Sequence, residues 1–280
     1  MLHWDKEVLK KVEQLVRENC PAPEAELIKL SKIVTKLPRT QEGAQIRRIV
    51  LDIDDLTAQT RWHLGQALLL MTAYPKALGP DADEDEIDKT LRDIGMPSNA
   101  MHLIRGFIRD ADRVIYDDFT DRRRTGTVAG WVFHMMIDSA IYRAMAALDR
   151  LAHILWYAAG LPRQDKKGKA VRIYFRAAKI IEIDKVIDDS HSKEILKVAQ
   201  GPLMEYVISY RNRYTHEAKE YSVIAGALPS HDWVSPDGRH VTERGEKWEA
   251  DLLFALGNAT YHQFLEALKP TVAICEARFA

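Results

Sequence analysis

VAGWVFHMMIDSAIYRAMAALDRLAHILWYAAG, residues 128–160, is the most apolar stretch of the chain. A membrane-spanning helix needs roughly 20 residues nearly free of charge. This stretch contains Asp138, Arg143, Asp149 and Arg150. It therefore reads as a long helix buried in protein, running from about Val128 to Ala159. Gly160-Leu161-Pro162 supplies the stop.

Outward from that helix, almost every periodic segment has the 3.6-residue repeat. Val8, Leu9, Val12, Leu15 and Val16 follow the i, i+3, i+4 pattern before Pro21 and Pro23 end it. Further helices are predicted over about Ala25–Lys36, Glu42–Tyr74 and Ala100–Asp118. The acidic run PDADEDEID (80–88) lacks the spacing and glycine of a calcium loop and reads as a helix start, which the helix dipole favours. The polar run Asp121–Gly126 marks a soft boundary near residue 125. Beyond the long helix, the spacing predicts helices over about Ala170–Ile183, from near Ser192 to about Tyr221, and over about Glu246–Glu276. Gly201-Pro202 restarts or kinks the second of these. Pro236-Asp237-Gly238 between Trp233-Val234 and His240-Val241 is the one β signal, a hairpin near 233–241. The fold class expected is all-α, with an N-terminal helical extension (1–125) and a C-terminal helical bundle (126–280).

Composition agrees with an ordinary globular chain: 280 residues, 46% hydrophobic and 29% charged. Lys and Arg number 40 against 41 Asp and Glu, which excludes a generally basic nucleic-acid coat but leaves room for a local basic groove. Two cysteines, Cys20 and Cys275, cannot build a disulfide scaffold, and no CxxC suggests a zinc ribbon. Both read as core or surface residues. The opening MLHWDKEVLKKVEQ turns charged at once, unlike a signal peptide, so a cytoplasmic protein is expected.

The segment that can carry chemistry is EYVISYRNRYTHEAKEY, residues 205–221. Leu203, Val207, Tyr210, Tyr214, Ala218 and Tyr221 form one apolar stripe at about 100° per residue. Asn212 and His216, four residues apart, share the opposite face with Glu205. Arg211 lies at the stripe's edge. Arg can grip a phosphate with its fork of donors, His can move a proton near neutral pH, and Asn can orient a hydroxyl or an imidazole. These are the parts for metal-free phosphodiester cleavage by an adjacent ribose 2′-hydroxyl. The plainer alternative is a solvated helix face with a His near the negative end of the helix dipole.

Arg211-Asn212-Arg213-Tyr214-Thr215-His216 resembles the R-N-x-x-x-H form of the R-x4-6-H motif of the HEPN superfamily (higher eukaryotes and prokaryotes nucleotide-binding). The resemblance covers about residues 127–280. It implies an α-helical bundle with the motif late in a core helix, and two functional classes. One is a metal-independent endoribonuclease acting as a homodimer with facing motifs, with Arg211 and His216 catalytic and Asn212 in support, as in toxin or defence effectors. The other is a non-catalytic RNA- or nucleotide-binding or regulatory module. An antitoxin protein is a further partner the resemblance admits. A toxin subgroup that pairs with a nucleotidyltransferase has Tyr two residues after the His, where this chain has Ala218. Ile208 and Thr215 flank Asn212 and His216, which favours a dimer face there.

A second feature is the basic run from Arg163 to Lys179. Lys166, Lys167, Lys169, Arg172 and Arg176 are candidate RNA-phosphate contacts along it, with a solvated surface as the alternative. Tyr174 and Phe175, the interleaved aromatics, are expected to pack inward. Asp149 and His153 share a face at i, i+4, but neither Glu-x-x-His nor HExxH occurs, so no metal is expected. A buried ion pair or hydrogen bond by Asp149 or Asp138, with Arg143, Arg150 or Arg211, is the better reading. Without Walker A or GxGxxG motifs, no cofactor is expected, and nothing suggests a membrane partner.

Overall fold

Apolar residues recurring every three or four positions fold this chain into helices. The structure, a computed structural model, describes residues 6–78, 84–93, 128–216, 233–234, 240–241 and 250–279. In chain order come α1 (Lys6–Asn19), α2 (Glu24–Thr35), α3 (Gln41–Ala73), a 3₁₀ turn at Pro75–Leu78, and α4 (Glu84–Asp93). Then follow α5 (Val128–Ala158), α6 (Ala177–Ile187), α7 (Ser190–Ala199) and α8 (Pro202–His216). The short strands β1 (Trp233–Val234) and β2 (His240–Val241) precede α9 (Ala250–Phe279). They pair antiparallel, Trp233 with Val241 and Val234 with His240, as the hairpin reading expects. The fold is all-α, and no described helix is long and apolar enough to cross a membrane. The helix expected over 100–118 and the boundary near 125 lie outside the described residues.

The chain divides into two compact units. One draws on Met1–Pro21, Arg61–Ser139 and Ser209–Gly257, the other on Ala22–Thr60, Ala140–Ile208 and Asn258–Ala280. In the first unit, two glycines let helices approach closely. A Cβ at Gly65 of α3 would collide with Val16 Cγ2 of α1 and stand 3.2 Å from Val12 Cγ1. One at Gly257 of α9 would stand 3.2 Å from Leu64 Cδ2 and 3.3 Å from Ile137 Cγ2, so α3, α5 and α9 meet there. Val12, Leu64 and Ile137 are fully buried.

In the second unit, α2 buries Leu27, Leu30, Ile33 and Val34, and α3 buries Ile46, Ile49, Val50 and Ile53, each set on one face. The α5 part of this unit buries Ile141, Leu148, Leu151 and Leu155. Polar cross-links join these two long helices. Arg143 Nε donates to Gln59 Oε1 at 2.6 Å, and Arg150 Nε lies 3.3 Å from Asp52 Oδ2. Just past α5, Arg163 Nη1 donates to Gln45 Oε1 at 2.5 Å and its Nε lies 3.6 Å from Glu42. Partner positions descend on α3 as they climb on α5, so the helices run antiparallel.

The end of α5 falls where Gly160 predicts. Gly160 takes φ +64°, its amide donates to Tyr157 at 2.9 Å, and the Leu161 amide donates to Trp156 at 3.2 Å. This 6→1 and 5→2 pair satisfies the last carbonyls of the helix. Trp156 is buried, and its indole N–H donates to the Pro162 carbonyl at 3.1 Å.

The chain after Gly160 corrects one expectation. The helix foreseen from Ala170 starts only at Ala177. Before it, residues 163–171 form a tight reversal: Val171 N donates to Arg163 O at 2.7 Å and Asp165 N to Lys169 O at 2.8 Å. Gly168 takes φ +75° at the turn. The Asp165 carboxylate caps it by accepting the amides of Lys167 (2.8 Å) and Lys169 (2.9 Å).

Candidate functional site

The motif helix begins where Gly201-Pro202 predicts a restart, because proline suits the first helical position. Within α8, Met204, Tyr206 and Val207 are buried and Glu205 is exposed. Leu203 and Ile208 are half-buried, and the buried set spreads to both sides of the stripe read from the sequence, of which only Leu203 and Val207 have described side chains. Glu205, which shares a helical sector with Asn212 and His216 by 100° geometry, faces solvent as expected. The helix continues through Arg211 and Asn212 to His216, placing the motif in its last two turns. The side chains of Arg211, Asn212 and His216 lie outside the described residues, as do Ala218 and Tyr221.

The basic run resolves into two groups. Arg163 and Lys179 are spent on the fold. Arg163 binds Gln45 and Glu42 and lies over the Tyr157 ring. Lys179 Nζ sits 2.7 Å from Glu182 and 5.0 Å from the Trp156 ring centroid. Lys166, Lys167, Lys169, Arg172 and Arg176 are exposed and have no acidic partner among the described residues.

Along residues 172–176 exposed and buried side chains alternate, and the Arg176 amide donates to the Tyr174 carbonyl at 2.8 Å in a tight turn at Phe175. Ile173 (6% exposed) and Phe175 (0%) point inward. Arg172, Tyr174 and Arg176 point outward. Tyr174 departs from the inward packing the sequence suggests for it and Phe175: it is 40% exposed. The Arg176 guanidinium carbon lies 5.7 Å from the Tyr174 ring centroid. Burial of Ile173 and Phe175 contributes about 1.5–3 kcal/mol each to holding this segment down. The Phe175 amide adds a 2.8 Å hydrogen bond to Asp149 Oδ1 of α5. Asp149 is half-buried, and this part-buried bond goes to a backbone amide, not to one of the arginines the sequence suggests.

A polar cleft not foreseen from the sequence lies between α3 and α5 in the same unit. It is lined by Gln45, Arg48, Ile49, Asp52, Arg150 and His153, with a volume of about 310 Å³. Burial and the nearby Arg150 and Arg163 hold the His153 pKa below its ordinary value, against the opposing pull of Asp149. This direction favours the neutral imidazole. The signal in the sequence was the polar spacing Glu42, Gln45, Asp52, Gln59 along one face of α3.

No group of three or more His, Cys, Asp or Glu side chains among the described residues could hold a metal ion. Burial pushes the Cys20 thiol up to about 11, against the pull of Arg61, and the Cys275 thiol up to about 12. Neither is a thiolate nucleophile at neutral pH.

No family model, curated protein or solved structure matches this chain.

Proposed function

We propose that this protein is a metal-independent endoribonuclease of HEPN type, acting on single-stranded RNA through the motif at the end of α8. The observation that carries the reading is the placement of Arg211-Asn212-xxx-His216 in the last two turns of a helix whose opposite face, through Met204 and Val207, is committed to the core. The exposed cations from Lys166 to Arg176 support it by offering phosphate contacts.

His216 takes the proton from a ribose 2′-hydroxyl as its oxygen attacks the adjacent phosphorus. Arg211 stabilises the charge developing on the phosphoryl oxygens, and Asn212 holds the geometry. The bond to the 5′-oxygen breaks, and that oxygen gains a proton. The products are a 2′,3′-cyclic phosphate and a 5′-hydroxyl. Two copies of the chain assemble with their α8 motifs facing, in the cytoplasm, with toxin or defence activity as the setting and an antitoxin protein as a further partner. The second reading is a non-catalytic RNA-binding module, favoured by the same exposed cations.

The test is cleavage of mixed RNA in EDTA by the wild type and by His216→Ala. General acid–base catalysis contributes about 10²- to 10⁴-fold, so the variant should lose at least two orders of magnitude with an unchanged circular dichroism spectrum. Arg211→Lys should fail as well, since an ammonium cannot make the two-pronged contact. Equal cleavage by all three proteins would overturn the nuclease reading. Binding without cleavage by any of them would leave the binding module.

A further inference from the structure

The outward face of residues 166–176 has the composition of a single-strand platform. The geometry points to Tyr174 as a base-stacking side chain, flanked by Arg172 and Arg176 and fed by Lys166, Lys167 and Lys169, that holds single-stranded RNA on the outer surface of this unit. The ligand class rests on the RNA reading above, but the binding itself does not depend on cleavage.

Three features carry the inference. The first is charge: five exposed cations lie within residues 166–176, a stretch without an acid, and Asp165 just before it accepts the amides of Lys167 and Lys169 at Oδ1. The second is the ring. Tyr174, 40% exposed, stands between the exposed Arg172 and Arg176, while its neighbours Ile173 and Phe175 are buried. An exposed aromatic ring beside arginine planes stacks bases of any sequence, and only unpaired strands offer base faces for it. The third is rigidity. The Phe175 amide bonded to Asp149, the turn closed between Arg163 and Val171, and the buried Ile173 and Phe175 fix the backbone before any ligand arrives. A preset surface loses little entropy on binding.

The experiment measures fluorescence anisotropy of a single-stranded, fully 2′-O-methylated oligonucleotide of about 12 nucleotides, matched to the site sizes of single-strand binders. Methylation prevents cleavage. A duplex of the same sequence is the comparison. The wild type should bind the single strand more tightly than the duplex. Tyr174→Phe should bind within twofold of the wild type, and Tyr174→Ala should weaken binding by about 5- to 150-fold, the range for one lost base stack. Five phosphate contacts at roughly −0.7 each predict a slope of about −3.5 for log K against log salt. The triple variant Lys166→Ala, Lys167→Ala, Lys169→Ala should lower that slope by about 2. Tyr174 is on the surface, so its variants should melt with the wild type.

Tyr174→Ala binding as tightly as the wild type would overturn the proposal. So would no wild-type binding at about 100 µM, the weak end for non-specific nucleic-acid contacts. Displacement of the RNA by poly-glutamate, with affinity indifferent to Tyr174, would assign the surface to an acidic protein instead. The nuclease reading is scored separately on unmodified RNA. Cleavage lost in His216→Ala with no Tyr174 effect refutes the platform and keeps the nuclease. Tyr174-dependent binding with no cleavage does the reverse.

Discussion

Asp149→Ala removes the side chain that pins the segment around Phe175 to α5. The Asp149 carboxylate accepts the Phe175 amide at 2.8 Å in a partly buried position. A hydrogen bond to a charged group is worth about 1.5–3 kcal/mol, and alanine leaves the amide without that acceptor. The loss should appear as a lower urea midpoint with an unchanged slope, because the folded core keeps its surface area. Asp149→Asn retains an oxygen acceptor in the same place and should lose less than half as much. Amide exchange localises the effect: protection at Phe175 should fall in Asp149→Ala while protection in the interior of α5 stays. Affinity for the methylated single strand should fall too, because Tyr174 would no longer be held in place. A stability change below about 0.5 kcal/mol, the usual range of surface substitutions, with unaltered exchange at Phe175, would refute this account of how the segment is fixed.

Ser192→Ala should cost about 1.5–3 kcal/mol in a urea melt. Its hydroxyl is buried, donates to Asp184 Oδ1 at 2.5 Å, and accepts the Asp189 amide at 3.2 Å in the capping box of α7. A midpoint equal to the wild type would refute that role. His153 gives a pH signature. Its folded pKa is lowered, first by burial and then by Arg150, with Arg163 adding and Asp149 opposing. Below its ordinary 6.5 the unfolded chain takes up the proton first, so the stability from neutral His153 is complete above that pH and is lost as pH falls through the folded pKa. Melting temperatures from pH 7.5 to 5 should fall less steeply in His153→Gln, and parallel curves would refute the assignment.

Sequence periodicity located the helices well where their ends carry chemical punctuation. Pro21, Pro23, Gly160 and Pro202 each mark a real end or start. It failed at Ala170–Arg176, and the reason is specific. Ile173, Ile180 and Ile183 fit a helical stripe, yet over Arg172–Arg176 exposure alternates residue by residue and the backbone turns at Phe175 before α6 begins. The start of α6 has no side-chain cap at Arg176, so no sequence signal marks it. A helix over the same residues would turn Tyr174 inward, whereas it is 40% exposed. The five candidate cations were legible as a charge run, but which cations the fold consumes was not. Arg163 is claimed by Glu42 and Gln45, more than a hundred positions away. The cleft at His153 is equally invisible in a linear sequence, since its two walls come from α3 and α5. For α8, the outward position of Glu205 follows from 100° per residue, whereas the depth of Met204 and Tyr206 depends on neighbouring helices that periodicity does not reveal.

The proposed chemistry at Arg211 and His216 leaves its mark on the ends of the products. Purified wild type is incubated in EDTA with a defined single-stranded RNA, and the fragments are weighed by mass spectrometry. Attack by the neighbouring 2′-hydroxyl predicts 2′,3′-cyclic phosphate and 5′-hydroxyl ends at every cut, with no cut where the scissile ribose is 2′-deoxy. Fragments with 5′-phosphate ends, or cleavage that persists at the 2′-deoxy position, would contradict it.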